Sequence, residues 1–384
     1  MRFEFATATR IVFGLGAIAE AAPAAARFGT RVLLVRGQHP ARTSLLANAL
    51  RDAGLAVLEE SVAAEPTIDW LRAGTARLRP EGVQALLACG GGSVLDGGKA
   101  LAAMLANPGD PLDYLEVIGK GQPLPHPAVP FIAIPTTAGT GAEVTRNAVL
   151  GSPEHQVKAS LRSASMLPRL ALIDPALAVS LPPSLTAATG LDALTQLIEP
   201  FVCLRANPMT DAFCRDGIPR IARSLRRACA AGDDLDARSD MALASMLSGM
   251  ALANAGLGAV HGLAAPIGGR FPAPHGAVCA ALLPHAMRTN LAALRERLPA
   301  SVALSRYQEV AAMLTGNQDA QPEDGISWVE QTCALLQVPK LRDWGVERDA
   351  LPVLCKQARS ASSMKANPVA LTQTELEALV EAAL

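Results

Sequence analysis

Aromatic side chains are scarce. Phe, Trp and Tyr together supply 3% of the 384 residues, with two tyrosines in all, although half of the chain is apolar. Alanine therefore carries much of the apolar content, which suits closely packed helices. No run of like charge occurs, and 34 basic residues against 35 acidic ones leave a net charge of −1. A nucleic-acid binder carries a basic face and a disordered acidic tail carries a charge block. Neither is present, so no nucleic-acid partner is expected. No CxxC pair exists among the seven cysteines (Cys89, Cys203, Cys214, Cys229, Cys279, Cys333 and Cys355). An odd, scattered set reads as reduced thiols, most of them in the core, in a cytoplasmic protein. The opening MRFEFATATRIVFG lacks the apolar stretch of a signal peptide. Residues 241–260 are the most membrane-like segment, but Asn254 and several Ser and Gly interrupt them. They read as a buried helix pair, since a span wants about 20 strongly apolar residues, and no membrane partner is expected.

The length accommodates two domains. In the first half, short apolar runs alternate with helical patterns. Residues 10–13 (RIVF), 31–35 (RVLLV), 55–58, 84–89 and 130–134 (PFIAI) read as strands, and about 16–27, 41–53 and 67–78 as helices, the last introduced by Pro66-Thr67. That alternation predicts an open, mostly parallel α/β sheet. After Asp174-Pro175 no strand pattern remains. Helices are expected at 185–202, 208–230, 236–255, 285–298, 301–314, 327–336 and 372–383, with Ser184 as a cap. The expected domains are 1–178, α/β and dinucleotide-binding, and 179–384, all-α and carrying metal and substrate.

Two loops at strand ends offer open backbone. Gly90-Gly91-Gly92-Ser93-Val94-Leu95-Asp96-Gly97-Gly98-Lys99 joins a strand to a helix. Glycines there let the backbone approach a phosphate, and free N–H groups at a helix start face it. Ser93 can add a hydroxyl and cap the helix. Thr136, Thr137 and Thr140, interleaved with Gly139 and Gly141, follow the strand at 130–134. Two such loops in one sheet match a dinucleotide.

A third constellation suits a metal. Asp192 and Gln196 are four apart, one above the other on a helix face. His261 and His275 follow in a Gly/Pro-rich segment. A carboxylate, an amide oxygen and two imidazoles make a four-ligand set for a divalent transition metal.

The GGGSxxDxxK stretch, the PTTxGTGxE stretch, the GxDAxxx helix and the Hx13H segment occur in an order and at spacings that resemble the iron-containing (group III) alcohol dehydrogenases. The likeness extends from RIVFGLGA to the closing KANPVALTQTELEALVEAAL. It implies the dehydroquinate-synthase-like architecture of a dinucleotide-binding α/β domain followed by a helical domain. It also implies a metal-dependent, NAD(P)-linked oxidoreductase holding Fe²⁺ or Zn²⁺ and acting on a small aliphatic alcohol or aldehyde. Asp192, His261 and His275 match the family's ligand and catalytic positions. Gly37, Gly91, Gly92, Ser93, Asp96, Thr136, Thr137 and Thr140 fall to the cofactor, and Lys158 resembles a family lysine near the nicotinamide ribose. The resemblance further implies a homodimer formed through the N-terminal strand. Two positions depart from the pattern. Gln196 replaces a histidine, and Ala265 replaces a second histidine four residues after His261, which removes a proton-relay candidate.

The turn after RVLLV carries Arg36-Gly37-Gln38 with Arg42 beyond. No acid is present to repel a 2′-phosphate, and two arginines can pair with one. NADP(H) is therefore expected to be accepted at least as well as NAD(H). Three rival readings share many of these features: a maleylacetate-reductase-like enzyme, a glycerol-dehydrogenase- or dehydroquinate-synthase-like relative, and a dinucleotide-binding sensor without catalysis.

Overall fold

The computed structural model describes residues 2–384. It divides into two compact units. One is Ala6–Thr137 with Gly141–Ala178, and the other is Val179–Leu384 with the segment ending at Phe5 and Ala138–Thr140. Two short stretches of 1–178 thus group with the helical unit.

The α/β unit runs β1 (Ile11–Phe13), α1 (Ala21–Ala26), β2 (Arg31–Gly37), α2 (Ser44–Asp52), β3 (Ala56–Val62), α3 (Ile68–Leu78), β4 (Ala85–Gly90), α4 (Gly92–Ala106), the one-turn α5 (Pro111–Tyr114), β5 (Phe131–Pro135), β6 (Asn147–Ser152), β7 (Val157–Arg162) and β8 (Leu170–Ile173). Six strands form a wholly parallel sheet in the order β1-β8-β5-β4-β2-β3. Alternate residues of β2, β4 and β5 enter two separate cores. Val32, Leu34, Leu87 and Ile134 face α1 and α2, while Leu33, Val35, Leu86 and Ala133 face α3 and α4. Burial on both faces explains why these strands read as unbroken apolar runs. Each Leu or Val so buried contributes about 1.5–3 kcal/mol. Gly98 sets the helix-to-sheet distance, because a Cβ there would lie 2.7 Å from Ala88 Cβ. Thr67 caps α3 by accepting from the Trp70 amide.

Three strands of this unit were absent from the sequence reading. β6 and β7 form a separate antiparallel hairpin, and β8 fills the sheet between β1 and β5.

The helical unit consists of α6 (Pro183–Val202), α7 (Pro208–Ala230), α8 (Leu235–Asn254), α9 (Ala259–Arg270), α10 (His275–Arg297), α11 (Val302–Thr315), α12 (Pro322–Leu335), α13 (Leu351–Ser360) and α14 (Gln373–Ala382). No strand follows Ile173 among the described residues. Small residues bring the helices close. A Cβ at Gly190 on α6 would stand 2.4 Å from Leu225 Cδ1 on α7, and one at Gly217 would stand 2.7 Å from Leu197 Cδ1. Ser184 lies inside α6, whose N-cap is Pro182, so its expected capping role is not observed.

Among the described residues no single helix is long and apolar enough to cross a membrane, and α8 and α9 meet at a 96° bend. The Gly/Pro-rich stretch, for which the sequence reading gave no helix, forms α9 and the first turns of α10. Pro266 and Pro284 sit within these helices. Burial of Val260, Leu263, Ala264 and Ile267 on α9 outweighs the proline signal.

Candidate active site

In the helical unit, four donor atoms converge. Asp192 comes from the middle of α6, His261 from the first turn of α9, and His275 and Cys279 from the first turns of α10. All four atoms lie within 4.8 Å of one another. His261 Nε2 is 3.4 Å and His275 Nε2 3.7 Å from Asp192 Oδ1. Cys279 Sγ is 3.9 Å from His261 Nε2 and 3.6 Å from His275 Nε2. Asp192, His261 and Cys279 are buried, whereas the His275 side chain is 35% exposed and opens the cluster on its flank.

Packing fixes the approach of these helices. A Cβ at Gly276 would lie 2.5 Å from the Ala188 carbonyl oxygen, so only glycine lets the start of α10 rest directly on α6 beside Asp192. The start of α9 has no capping side chain of its own at Gly258. Its amides are met from elsewhere. Ala259 N–H donates to Asn367 Oδ1 at 3.0 Å, and Val260 N–H to Glu199 Oε1 at 2.7 Å. The other Glu199 oxygen lies 2.6 Å from His261 Nδ1. A carboxylate only accepts, so Nδ1 carries the proton, and in the neutral ring Nε2 keeps its lone pair toward the cluster.

Asp192 Oδ1 is buried and makes no hydrogen bond. Burial disfavours the charged forms of Asp192 and His261, but the opposite charges across the cluster outweigh it. His275 and His261 hold the Asp192 carboxyl below its ordinary range, while Cys279 and Glu199 hold the His261 imidazolium above its own. An orphaned carboxylate oxygen facing two imidazoles and a thiol is the donor set of a divalent transition-metal site, and the residues fit such an ion.

Gln196 lies one turn beyond Asp192 on α6. Its Oε1 accepts from the Ser248 hydroxyl at 2.9 Å, and the same hydroxyl lies 2.8 Å from the Ser245 carbonyl. Ala265 is one turn past His261 on α9 and places no imidazole there. Sequence reasoning missed Cys279 and Glu199. Both carried a signal, because Cys279 is four residues after His275, and Glu199 is seven after Asp192 on the same helix face.

In the α/β unit, β2 lies between β3 and β4, so the chain order reverses between β2 and β4. Open α/β sheets bind ligands beyond the carboxyl ends of strands at such a point. Gly37 ends β2, Gly90 ends β4, and Gly91 is the N-cap of α4. Gly92 and Ser93 form the first turn of α4, where amides have no intrahelical acceptor. Thr136 N–H donates to Gly90 O at 3.0 Å, which joins the two loops. A Cβ on Gly91 would lie 3.2 Å from Thr137 Cγ2. This glycine-lined helix start fits a dinucleotide pyrophosphate.

Two expected cofactor residues, Asp96 and Lys158, have protein partners here, and a third does not cap its helix. Ser93 is within α4 and does not cap it. Asp96 accepts from the Val149 amide at 3.0 Å and pairs with buried Lys99 at 3.1 Å, tying α4 to the β6 hairpin. Lys158 on β7 pairs with Glu65 at 2.6 Å. Thr140 belongs to the segment that groups with the helical unit. At the end of β2, Arg36 is held by Glu59 at 2.8 Å, and Arg51 holds the same carboxylate at 2.7 Å.

Known proteins carry the same arrangement of halves. Residues 8–175 match the family described as iron-containing alcohol dehydrogenase, and residues 186–384 match the C-terminal domain of the Fe-containing alcohol dehydrogenase family. The 1,3-propanediol dehydrogenase of Klebsiella pneumoniae is 38% identical over 332 residues, spanning 86% of this chain and 84% of that protein. A crystal structure of a 1,3-propanediol oxidoreductase superposes with a TM-score of 0.92 at 33% identity, covering both chains completely. Sulfoacetaldehyde reductase from Bifidobacterium kashiwanohense, solved in complex with NAD⁺, gives a TM-score of 0.85 at 27% identity over 100% of this chain and 99% of that one. With both halves matched and the donor cluster in the second, this chain belongs to the iron-containing alcohol dehydrogenase family and is a metal-dependent, NAD(P)-linked oxidoreductase acting on CH–OH groups.

Proposed function

We propose that the enzyme interconverts small aliphatic alcohols and their aldehydes, with NADP(H) accepted at least as well as NAD(H). The observation that carries this reading is the convergence of Asp192, His261, His275 and Cys279 with an unpartnered carboxylate oxygen. When bound, a divalent metal supplies Lewis acidity toward the substrate oxygen and a nicotinamide gives or takes the hydride. Glu199 keeps His261 Nε2 aimed into the cluster, and the buried flank of Asp192 and His261 excludes water. Ala265 offers no proton acceptor, so the alcohol proton would have to leave by a route other than a side chain at that position. A small aliphatic substrate is supported by the lack of aromatics between His261 and His275 other than Phe271, and by the propanediol-directed relatives.

For the nucleotide, Glu59 is committed to Arg36 and Arg51, and both lower its pKa. No acid lies between Gly37 and exposed Arg42. The positive excess at this strand end favours a 2′-phosphate. Seven unpaired cysteines support a cytoplasmic setting. A homodimer is supported by the edge position of β1 and by the described residues that precede it, which join no strand. The family match does not favour the maleylacetate-reductase and sensor readings.

The test is turnover of a series of short alcohols and aldehydes with both nucleotides, before and after chelation and metal restoration. Metal-dependent turnover is expected. Maleylacetate reduction that persists without metal, or nucleotide binding without any turnover, would overturn the proposal.

A further inference from the structure

We propose that Cys279 is a protein ligand of the metal, so that Asp192, His261, His275 and Cys279 form the four-donor set, with Gln196 outside it and zinc(II) favoured over iron(II). This rests on the metal-dependent reading above. Bonds of about 2.0–2.3 Å arranged tetrahedrally require donor atoms roughly 3.3–3.8 Å apart. Of the six edges, three stand at 3.4, 3.7 and 3.6 Å, a fourth at 3.9 Å is just beyond that range, and all six are within 4.8 Å. The helix spacing produces this match, since His275 and Cys279 are four residues apart at the start of α10 and present both donors on one face.

An independent observation points to the same ion. Asp192 Oδ1 is buried without a hydrogen bond. An orphaned carboxylate oxygen of this kind is costly unless a cation occupies the space it faces. Gln196 is the competing fourth donor. Its amide oxygen is engaged by Ser248, and turning it to the ion would forfeit that bond for a weaker donor than a thiolate. Cys279 thus supplies what position 196 no longer does.

The exchange changes the chemistry. On binding, the thiol gives its proton to solvent and the thiolate bonds the ion. Two anionic donors, Asp192 and Cys279, then neutralise a divalent charge that one carboxylate and three neutral imidazoles would leave at +1. Soft sulfur shifts selectivity toward zinc and lowers the Lewis acidity available to a substrate oxygen, which would have to join the four protein donors as a fifth.

The full-length protein, stripped and reloaded with zinc(II), is tested by X-ray absorption at the zinc edge. A single sulfur scatterer at about 2.3 Å is expected, beside nitrogen and oxygen at shorter distance. Cobalt(II) loading should give a near-ultraviolet sulfur-to-metal charge-transfer band. That band should vanish in Cys279→Ser and persist in Gln196→Ala. In direct competition, the unaltered protein should prefer zinc over iron at least tenfold more strongly than Cys279→Ser does. A zinc site showing only nitrogen and oxygen scatterers overturns the assignment of Cys279 while leaving the metal-dependent reading intact. Failure of the unaltered protein to bind any ion overturns both. The absorption measurement needs no variant, so a poorly folding Cys279→Ser would not decide the outcome.

Discussion

Glu199 Oε2 lies 2.6 Å from His261 Nδ1 while Glu199 Oε1 accepts the Val260 amide at 2.7 Å. One carboxylate therefore fixes both the ring and the helix start that carries it. Glu199→Gln keeps the shape but loses the charge and the obligate acceptor on one side. Metal affinity should fall about 10–100-fold, as read by competition with a chromophoric chelator. Unchanged affinity would show that His261 is oriented by packing alone.

Gly276 is the seat of α10 on α6. In Gly276→Ala, the new methyl meets a backbone carbonyl 2.5 Å away, which cannot swing aside as a side chain can. The start of α10 must lift, carrying His275 and Cys279 from Asp192. A stability loss of roughly 1–3 kcal/mol is expected, together with at least a tenfold loss of metal affinity. A variant with full affinity would mean that the helix pair adjusts without moving its donors.

Glu143 is buried, and desolvation raises its pKa to about 7, with Lys99 opposing the shift. The unfolded chain releases this proton near the ordinary value of 4.5, so between there and about 7 the folded state binds more protons. The contribution to stability is greatest below pH 4.5 and is lost as pH rises to about 7, by roughly 3 kcal/mol in all. Glu143→Gln should remove this loss and raise the thermal midpoint at pH 8 by about 5 °C or more. Parallel midpoint-against-pH curves for the two proteins would refute the assignment.

Arg42 is the first exposed cation in sequence after the end of β2, and it is not tied to Glu59. Arg42→Ala should lower kcat/KM for NADP(H) by about tenfold, the worth of one charge-assisted hydrogen bond, and leave NAD(H) within about twofold. Equal effects on both nucleotides would place the arginine away from the 2′-phosphate.

Much of this was legible in the residues for physical reasons. β2, β4 and β5 are buried on both faces, so RVLLV, ALLAC and PFIAI stand out as continuous apolar runs. The hairpin was not legible. β6 and β7 alternate buried and half-exposed residues, and small or polar residues dilute that period. β8 is only four residues long. α9 was hidden because proline and glycine signal a break locally, whereas burial in the helical unit decides the outcome. At the site, Asp192, His261 and His275 stood out because charged or ligating groups are rare in such apolar sequence. Cys279 did not, since a cysteine counts as one more apolar residue until its turn of helix is known. The cofactor positions Asp96 and Lys158 illustrate the converse, because their partners Val149 and Glu65 lie far away in sequence.

The position of β1 has a consequence for synthesis. Among the described residues its only strand partner is β8, with Ile11 paired to Ala171 and Phe13 to Ile173. β1 therefore has no place in the sheet until β8 has been synthesised. Through that interval β2, β3, β4 and β5 can assemble in sequence, while the N-terminal residues wait unpaired. Closing this non-local contact carries the loop-closure entropy of nearly the whole α/β unit. It makes completion of the sheet edge a late event in the birth of the chain, when nascent edges are most exposed to wrong partners.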